Sequence, residues 1–227
     1  MKALSITLFI SVFIVSGIKA QTDKWYVSSG TEIIFSWANI DDNGYTDGSI
    51  MRWSPVFNWQ TLVNRDFSEH VGVYTGLDIK NVGFIYRQSD NVKKKYRTYN
   101  LGIPVGFKVG NLDGFSFYFG YEMEFPIHYK EKTFVDEKKE KFGVWFSSRV
   151  PAFYNTLFAG FQFPYGANLK FRYYLTNFHN RGFTLSDESK PYEGLNANVF
   201  YMALSFNIFK NNRLYYHKKS VDTYSMN

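Results

Sequence analysis

The 227-residue chain carries 26 Lys and Arg against 20 Asp and Glu, a formal net charge of +6, and contains no cysteine. The missing thiols exclude a disulfide framework, a lipid-modified N-terminal cysteine and any cysteine-ligated zinc or iron–sulfur site. Aromatic residues make up 21% of the chain while mean hydropathy is −0.29, and nothing beyond the N-terminal segment is a continuous apolar run long enough for a membrane helix. Apolar and polar residues must therefore interleave, as they do in a barrel wall whose every second residue meets lipid.

Residues 1–20 have the layout of a secretory signal. A basic start at Lys2 is followed by an apolar run from Ala3 to Ile18, then Lys19 and Ala20 before Gln21. Cleavage is expected after Ala20; an uncleaved anchor would need ~20 apolar residues with flanking stop-transfer charge. Residues 21–210 are expected to form one domain, and 211–227 a short polar periplasmic tail.

Eight strands are predicted in chain order: Ile33 to Ala38, Trp53 to Val63, Val71 to about Arg87, Thr98 to Val109, Phe115 to Tyr129, Tyr154 to Phe163, Leu169 to Thr176 and Phe200 to Ile208. The fifth is the cleanest. Phe115, Phe117, Phe119, Tyr121, Met123, Phe125, Ile127 and Tyr129 alternate with Ser116, Tyr118, Gly120, Glu122, Glu124, Pro126 and His128. That run exceeds the usual globular strand of about five or six residues and suits a tilted membrane strand of about 9–11 with extensions. In the third segment the alternation slips near Asn81 to Gly83, which predicts a bulge or a strand continuing above the membrane.

Connections alternate in length. Asn64–Ser68, Gly110–Gly114 and Phe163–Ala167 are short; Asn39–Arg52, Gln88–Lys95, Lys130–Phe153 and His179–Asn196 are long. Outer-membrane barrels have short periplasmic turns and long extracellular loops, and an even strand number puts both termini in the periplasm. A secreted lipocalin-like barrel is the rival, but the polar face here is mostly Gly, Ser, Thr, Asn and Ala, which suits a crowded lumen better than a solvated exterior. Trp53, Trp59, Tyr99, Tyr121, Tyr129 and Tyr173 are candidates for interfacial aromatic girdles. The expected fold is all-β: a transmembrane antiparallel up-and-down β-barrel of about eight strands with a narrow, side-chain-filled lumen.

The Ala20–Gln21 junction, the stretch Gly72 to Leu77 followed by Asn81 to Phe84, the stretch Arg97 to Lys108, and Tyr173 to Phe178 together make the chain resemble the outer-membrane β-barrel families common in Bacteroidota, which share the eight-stranded OmpA-like architecture. The resemblance covers most of the chain after residue 20 and implies architecture rather than activity. It carries no motif that separates accessories of the type IX secretion system from the general family.

Candidate chemistry is sparse. In lipid A deacylase-like barrels a His and a Ser sit two apart on one strand face, so that imidazole activates hydroxyl; neither His128 nor His179 matches, and His70 and His217 have the same bland reading as loop or interfacial residues. Glu122 and Glu124 share a strand face, as paired catalytic carboxylates do. The same spacing serves a lumen charge network, with Asp78, Lys80, Lys108, Lys170 and Arg172 as partners, because charges inside a narrow barrel must be paired or hydrated.

Arg87, Lys93, Lys94, Lys95 and Arg97 form a basic cluster in a predicted extracellular loop. They are candidates for contact with lipopolysaccharide phosphates, or else a solvated charge run. The loop 130–153 holds a charged run, Asp136 to Lys141, and then apolar Phe142 to Phe146, and is expected as a hairpin or helix at the membrane surface, the best candidate for binding a partner.

The leading functional reading is a non-enzymatic protein of the cell outer membrane with a structural, adhesion-type or envelope-complex accessory role. A small solute channel is the alternative, and an envelope-lipid enzyme a third reading. Expected partners are outer-membrane lipid and lipopolysaccharide, the barrel-assembly machinery during insertion, and another envelope protein. No nucleic acid, cofactor or metal is expected.

Overall fold

The computed structural model describes residues 24–44, 49–136 and 138–209; the expected signal segment 1–20 and polar tail 211–227 lie outside the described residues. Eleven strands follow in chain order: β1 (Lys24–Asp42), β2 (Ser49–Ile50), β3 (Arg52–Ser54), β4 (Trp59–Asp66), β5 (Val71–Ser89), β6 (Val92–Gly110), β7 (Ser116–Val135), β8 (Lys138–Trp145), β9 (Tyr154–Gln162), β10 (Ala167–Tyr174) and β11 (Leu195–Phe209). The order β11-β10-β9-β7-β6-β5-β4-β1 is closed by antiparallel pairing of β1 with β11, from Ser28↔Phe209 to Asp42↔Leu195, so these eight staves leave no free edge in the wall.

Alternation sets the wall. Along β6, Val109, Phe107, Val105, Ile103 and Leu101 point outward and are exposed, while Lys108, Pro104, Asn100 and Thr98 point inward and are buried. From Val109 to Tyr99 the strand has the length of about 9–11 residues that a tilted crossing needs. Phe119, Leu157, Phe171, Leu204 and Ile79 continue the apolar band around the barrel. The inward glycines make room: a Cβ on Gly106 would strike the ring of Tyr74. The fold is thus the eight-stranded transmembrane barrel, with a core made of lumen side chains.

One stave is broken. β4 follows β1 only from Lys24↔Asp66 to Thr31↔Trp59, and β3 resumes at Ile34↔Ser54. Side chains replace the missing ladder bonds: Asn58 Nδ2 donates to Glu32 O at 3.1 Å and to Ser54 O at 2.8 Å, and Asn58 Oδ1 accepts from Asn81 N at 2.8 Å. Ser54 Oγ also donates to Asn81 O at 3.1 Å. Backbone groups at membrane depth have no water to turn to, so a break is tolerated only where side chains satisfy them.

Above the apolar band β5, β6 and β7 continue upward and β8 pairs with upper β7, forming an upright sheet. Several expectations change here. Gln88–Lys95 is no long loop: β5 and β6 run to Ser89 and Val92 and are joined by a tight turn at Asp90–Asn91. The slip at Asn81–Gly83 is not a bulge; β5–β6 pairing holds register through it, and the strand continues above the membrane. The loop 130–153 contains the β7–β8 hairpin. β1 begins nine residues earlier than Ile33, at Lys24, and β11 starts at Leu195, five before Phe200.

Tyr129 is corrected as well. The β6–β7 register shifts between Tyr99↔His128 and Asn100↔Pro126, placing an extra residue at Ile127. Pro126 lacks the N–H a ladder needs, so a bulge forms beside it. Parity reverses above the bulge: His128 turns outward under Trp145, with ring centroids 4.4 Å apart, and Tyr129 turns inward and is fully buried rather than lying in an outer girdle. Trp53, Trp59, Tyr121 and Tyr173 are exposed on the outer surface.

Candidate functional site

The lumen is filled in layers. At the end carrying the short turns, Lys108 Nζ donates to Asp66 Oδ1 at 2.6 Å, Tyr26 Oη at 2.7 Å and Asn64 Oδ1 at 3.1 Å. Leu62, Tyr74, Tyr118 and Phe158 pack above it. A cavity of about 20 Å³ between Gln60, Lys108, Tyr118 and Lys170 is the size of a single water.

The charged centre lies next. Arg172 of β10 extends past Phe158 to β7, with Nη2 at 2.6 Å from Glu122 Oε2 and Nη1 at 2.6 Å from Glu124 Oε1. Lys80 of β5 bonds to Asp78 and to the other oxygen of Glu122. Tyr174 Oη at 2.6 Å and Asn100 Nδ2 at 2.7 Å complete Glu124. Gly102 faces this cluster, and a Cβ there would collide with the carboxylates of Asp78 and Glu122. All these charged side chains are buried.

Asp78, Lys80, Glu122, Glu124 and Arg172 therefore meet in one cluster. Lys108 does not join it and pairs instead with Asp66. Lys170 bonds to Glu32 of β1, and to Gln60 Oε1 at 3.0 Å. Glu32 and Asp66 are lumen residues that sequence reasoning missed. The signal for Glu32 lies in β1, where Ser28, Gly30, Glu32 and Ser36 alternate with Val27, Ile33 and Phe35. Because Ile34 is also inward, the apolar run that it makes with its neighbours hides the phase.

The other mouth is closed by aromatics. Residues 175–194 fold back so that Phe178, His179 and Tyr192 lie against Phe84, Tyr96 and Tyr129 of the wall. His179 stacks on Tyr192 at 4.3 Å between centroids, and Tyr129 Oη lies 3.4 Å from its Nε2. Burial, then the charges of Lys94 and Arg149, pushes the imidazole down to about 3, so it is neutral. Its partners are phenols rather than a nucleophile. His128 is outward under Trp145, and His70 Nδ1 lies 3.1 Å from Gly110 O in a turn; His217 lies outside the described residues. Glu122 and Glu124 are both bound by Arg172 and have no open approach. Among the described residues no group of three or more His, Asp or Glu could hold a metal ion.

The basic cluster is on strands, not in a loop. Lys93, Lys95 and Arg97 alternate on the outward face of β6, and Arg87 on β5 lies opposite Lys93. Lys94 points the other way, toward the mouth, and belongs to the opposite face.

No family model matches the chain, and no curated protein does. Solved structures do. Ail, the attachment invasion locus protein of Yersinia pestis, matches with a TM-score of 0.37 and 12% identity over 81% of this chain and 99% of Ail. Neisserial surface protein A gives 0.40 and 8% over 81% of this chain and 96% of its own. The outer membrane protein OprG from Pseudomonas aeruginosa gives 0.33 and 11% over 85% and 99%.

Proposed function

We propose that this chain is an integral protein of the bacterial outer membrane that acts as a non-conducting, non-enzymatic barrel, holding its upper sheet outside the bilayer in a structural, adhesion-type or envelope-complex accessory role. The observation that carries this reading is the filled lumen: the Arg172–Glu122–Lys80 cluster spans the barrel, with an aromatic mouth closed above it. Eight strands enclose room only for side chains, whereas aqueous channels belong to barrels of about sixteen. Outer-membrane residence is supported by the lipid-facing apolar band and the closed ladder. Membership among barrels of the Bacteroidota type is part of the same reading and rests on the motifs at Gly72–Leu77 and Arg97–Lys108.

Single-channel recording in planar bilayers tests the reading. The refolded protein is expected to show no stable conductance, and Arg172→Ala only brief, small openings. Porin-sized steps from the unmodified protein would replace this reading with that of a solute channel.

A further inference from the structure

We propose that the outward basic face of the upright sheet binds the phosphate groups of lipopolysaccharide in the leaflet from which the sheet rises. The proposal rests on the outer-membrane reading above and adds to it a ligand and a surface.

The face is built by register. Arg97 lies directly opposite Lys130, and Lys95 opposite Lys132, which is in turn opposite Lys141. Lys93 and Lys139 flank Phe134 from two strands, with Nζ 5.3 Å and 5.6 Å from the ring centroid. Directly opposed like charges destabilise a sheet. Among the described residues none of these seven cations forms an ion pair with a carboxylate. The acids of the same strands face away: Glu131, opposite Tyr96, accepts from the hydroxyls of Tyr129 and Tyr192 at 2.9 Å and 3.2 Å on the mouth side. Among the described residues no carboxylate relieves the repulsion on the outer face. Partial burial and then Arg52, Arg97, Lys132 and Lys139 bring Lys95 down to about 8, and Lys132 is lowered too, by burial and then by Arg97, Lys139, Lys141 and Lys130. An array held in this way favours a bound anion of high charge density.

Height selects which anion. The apolar band ends at Tyr99 and His128, paired with each other, and Arg97 and Lys130 come two residues later, about 7 Å further along the strands. That is the depth of the headgroup layer. Tyr99 lies under both cations, at 5.8 Å from Arg97 Cζ and 5.4 Å from Lys130 Nζ, and holds them along the wall. The exposed rings of Trp145 and Phe57 lie at the same rim, where amphipathic and apolar side chains meet the interface. A glycolipid whose phosphates sit at the top of its acyl chains meets the lowest pair first, and phosphates of its inner sugars would meet Lys95, Lys132 and Lys141. A soluble polyanion would have no reason to favour the pair nearest the bilayer.

The experiment compares retention of phosphorylated lipopolysaccharide with the same lipopolysaccharide after chemical dephosphorylation. The protein is refolded into neutral phospholipid vesicles containing either glycolipid, then extracted in mild detergent, and the bound glycolipid is quantified. The unmodified protein is expected to retain the phosphorylated form, less at high salt, and not the dephosphorylated one. Lys95→Gln/Arg97→Gln/Lys132→Gln should retain roughly tenfold less or lower still, and Lys130→Gln/Lys141→Gln should lose retention too, while Lys94→Gln on the opposite face should retain as much as the unmodified protein. Barrel folding of each variant is checked by heat-modifiable gel mobility. Equal retention by folded triple and unmodified protein would overturn the proposal, as would equal retention of the two glycolipids, or loss of lipid binding to a competing soluble phosphorylated oligosaccharide at equal phosphate. Failure of the unmodified protein to enter vesicles would instead sink the membrane reading beneath it.

Discussion

Arg172 of β10 and Glu122 of β7 are joined at 2.6 Å although β9 stands between their staves. The link is therefore a strut through the lumen and not a cross-strand pair along the wall. Removing one partner of a buried ion pair leaves an uncompensated charge, at a cost of about 3–5 kcal/mol. Arg172→Ala strands Glu122 and Glu124 together and is expected to lose that much in urea titrations of protein refolded in vesicles. Arg172→Lys, which reaches only one carboxylate well, should lose less. A change below about 1 kcal/mol for Arg172→Ala would show that the strut contributes nothing.

Gly102 offers a separate test of how tightly that cluster is packed. A single methyl at this position enters the space of the Asp78 and Glu122 carboxylates, so Gly102→Ala should destabilise by about 1–3 kcal/mol. Gly182, in the mouth segment, would meet only the Asn180 side chain at an ordinary contact distance, and Gly182→Ala should stay within about 0.5 kcal/mol. The comparison is read from the two urea midpoints.

The lipid-facing assignment predicts a depth-dependent penalty. Phe119 lies outward on β7 within the band, while Phe146, 78% exposed, hydrogen-bonds to Ile127 at its upper rim. Phe119→Arg should cost about 2–4 kcal/mol and Phe146→Arg about 0–1 kcal/mol. Equal costs would contradict the position of the bilayer along the strands.

The mouth should loosen in acid. The His179 imidazole is held down to about 3 by burial and by Lys94 and Arg149, against an ordinary value of 6.5. The open state thus binds the proton more readily. Closure is fully stable above about pH 6.5 and loses roughly 1.4 kcal/mol per pH unit as pH falls toward 3. Glu131, bonded to Tyr129 and Tyr192, is the nearby acid on this face. Amide exchange in residues 175–194, corrected for intrinsic rates, should accelerate between pH 7 and pH 5, and His179→Phe should abolish the dependence. An unchanged pH response in His179→Phe would assign it to another group.

Loss of Asn58 should expose the weak point of the wall. Asn58→Ala removes the side chain that satisfies Glu32 O, Ser54 O and Asn81 N where β3 and β4 are interrupted. Each buried backbone group left unpaired costs about 1–3 kcal/mol, and amide exchange should rise at Asn81 and its neighbours ahead of global unfolding.

Period-two alternation was legible in the sequence because lipid imposes it: every second side chain of a crossing strand must be apolar, whatever the remainder of the fold does. That constraint alone marked all eight staves and the inward phase of Glu122, Glu124, Lys170 and Arg172. It failed where lipid does not reach. Upper β5, β6 and β7 stand clear of the bilayer, so their hairpins read as loops, and the bulge at Ile127 reversed the phase of His128 and Tyr129. Which charges meet depends on stave order and stagger, set by ladder closure around the ring rather than by any local pattern. Lys170 consequently found Glu32, 138 residues away, and Lys108 found Asp66. The joining of the β6 cations with those of β7 and β8 into one face is likewise a product of pairing register, since their positions in the chain are unrelated until the strands lie side by side.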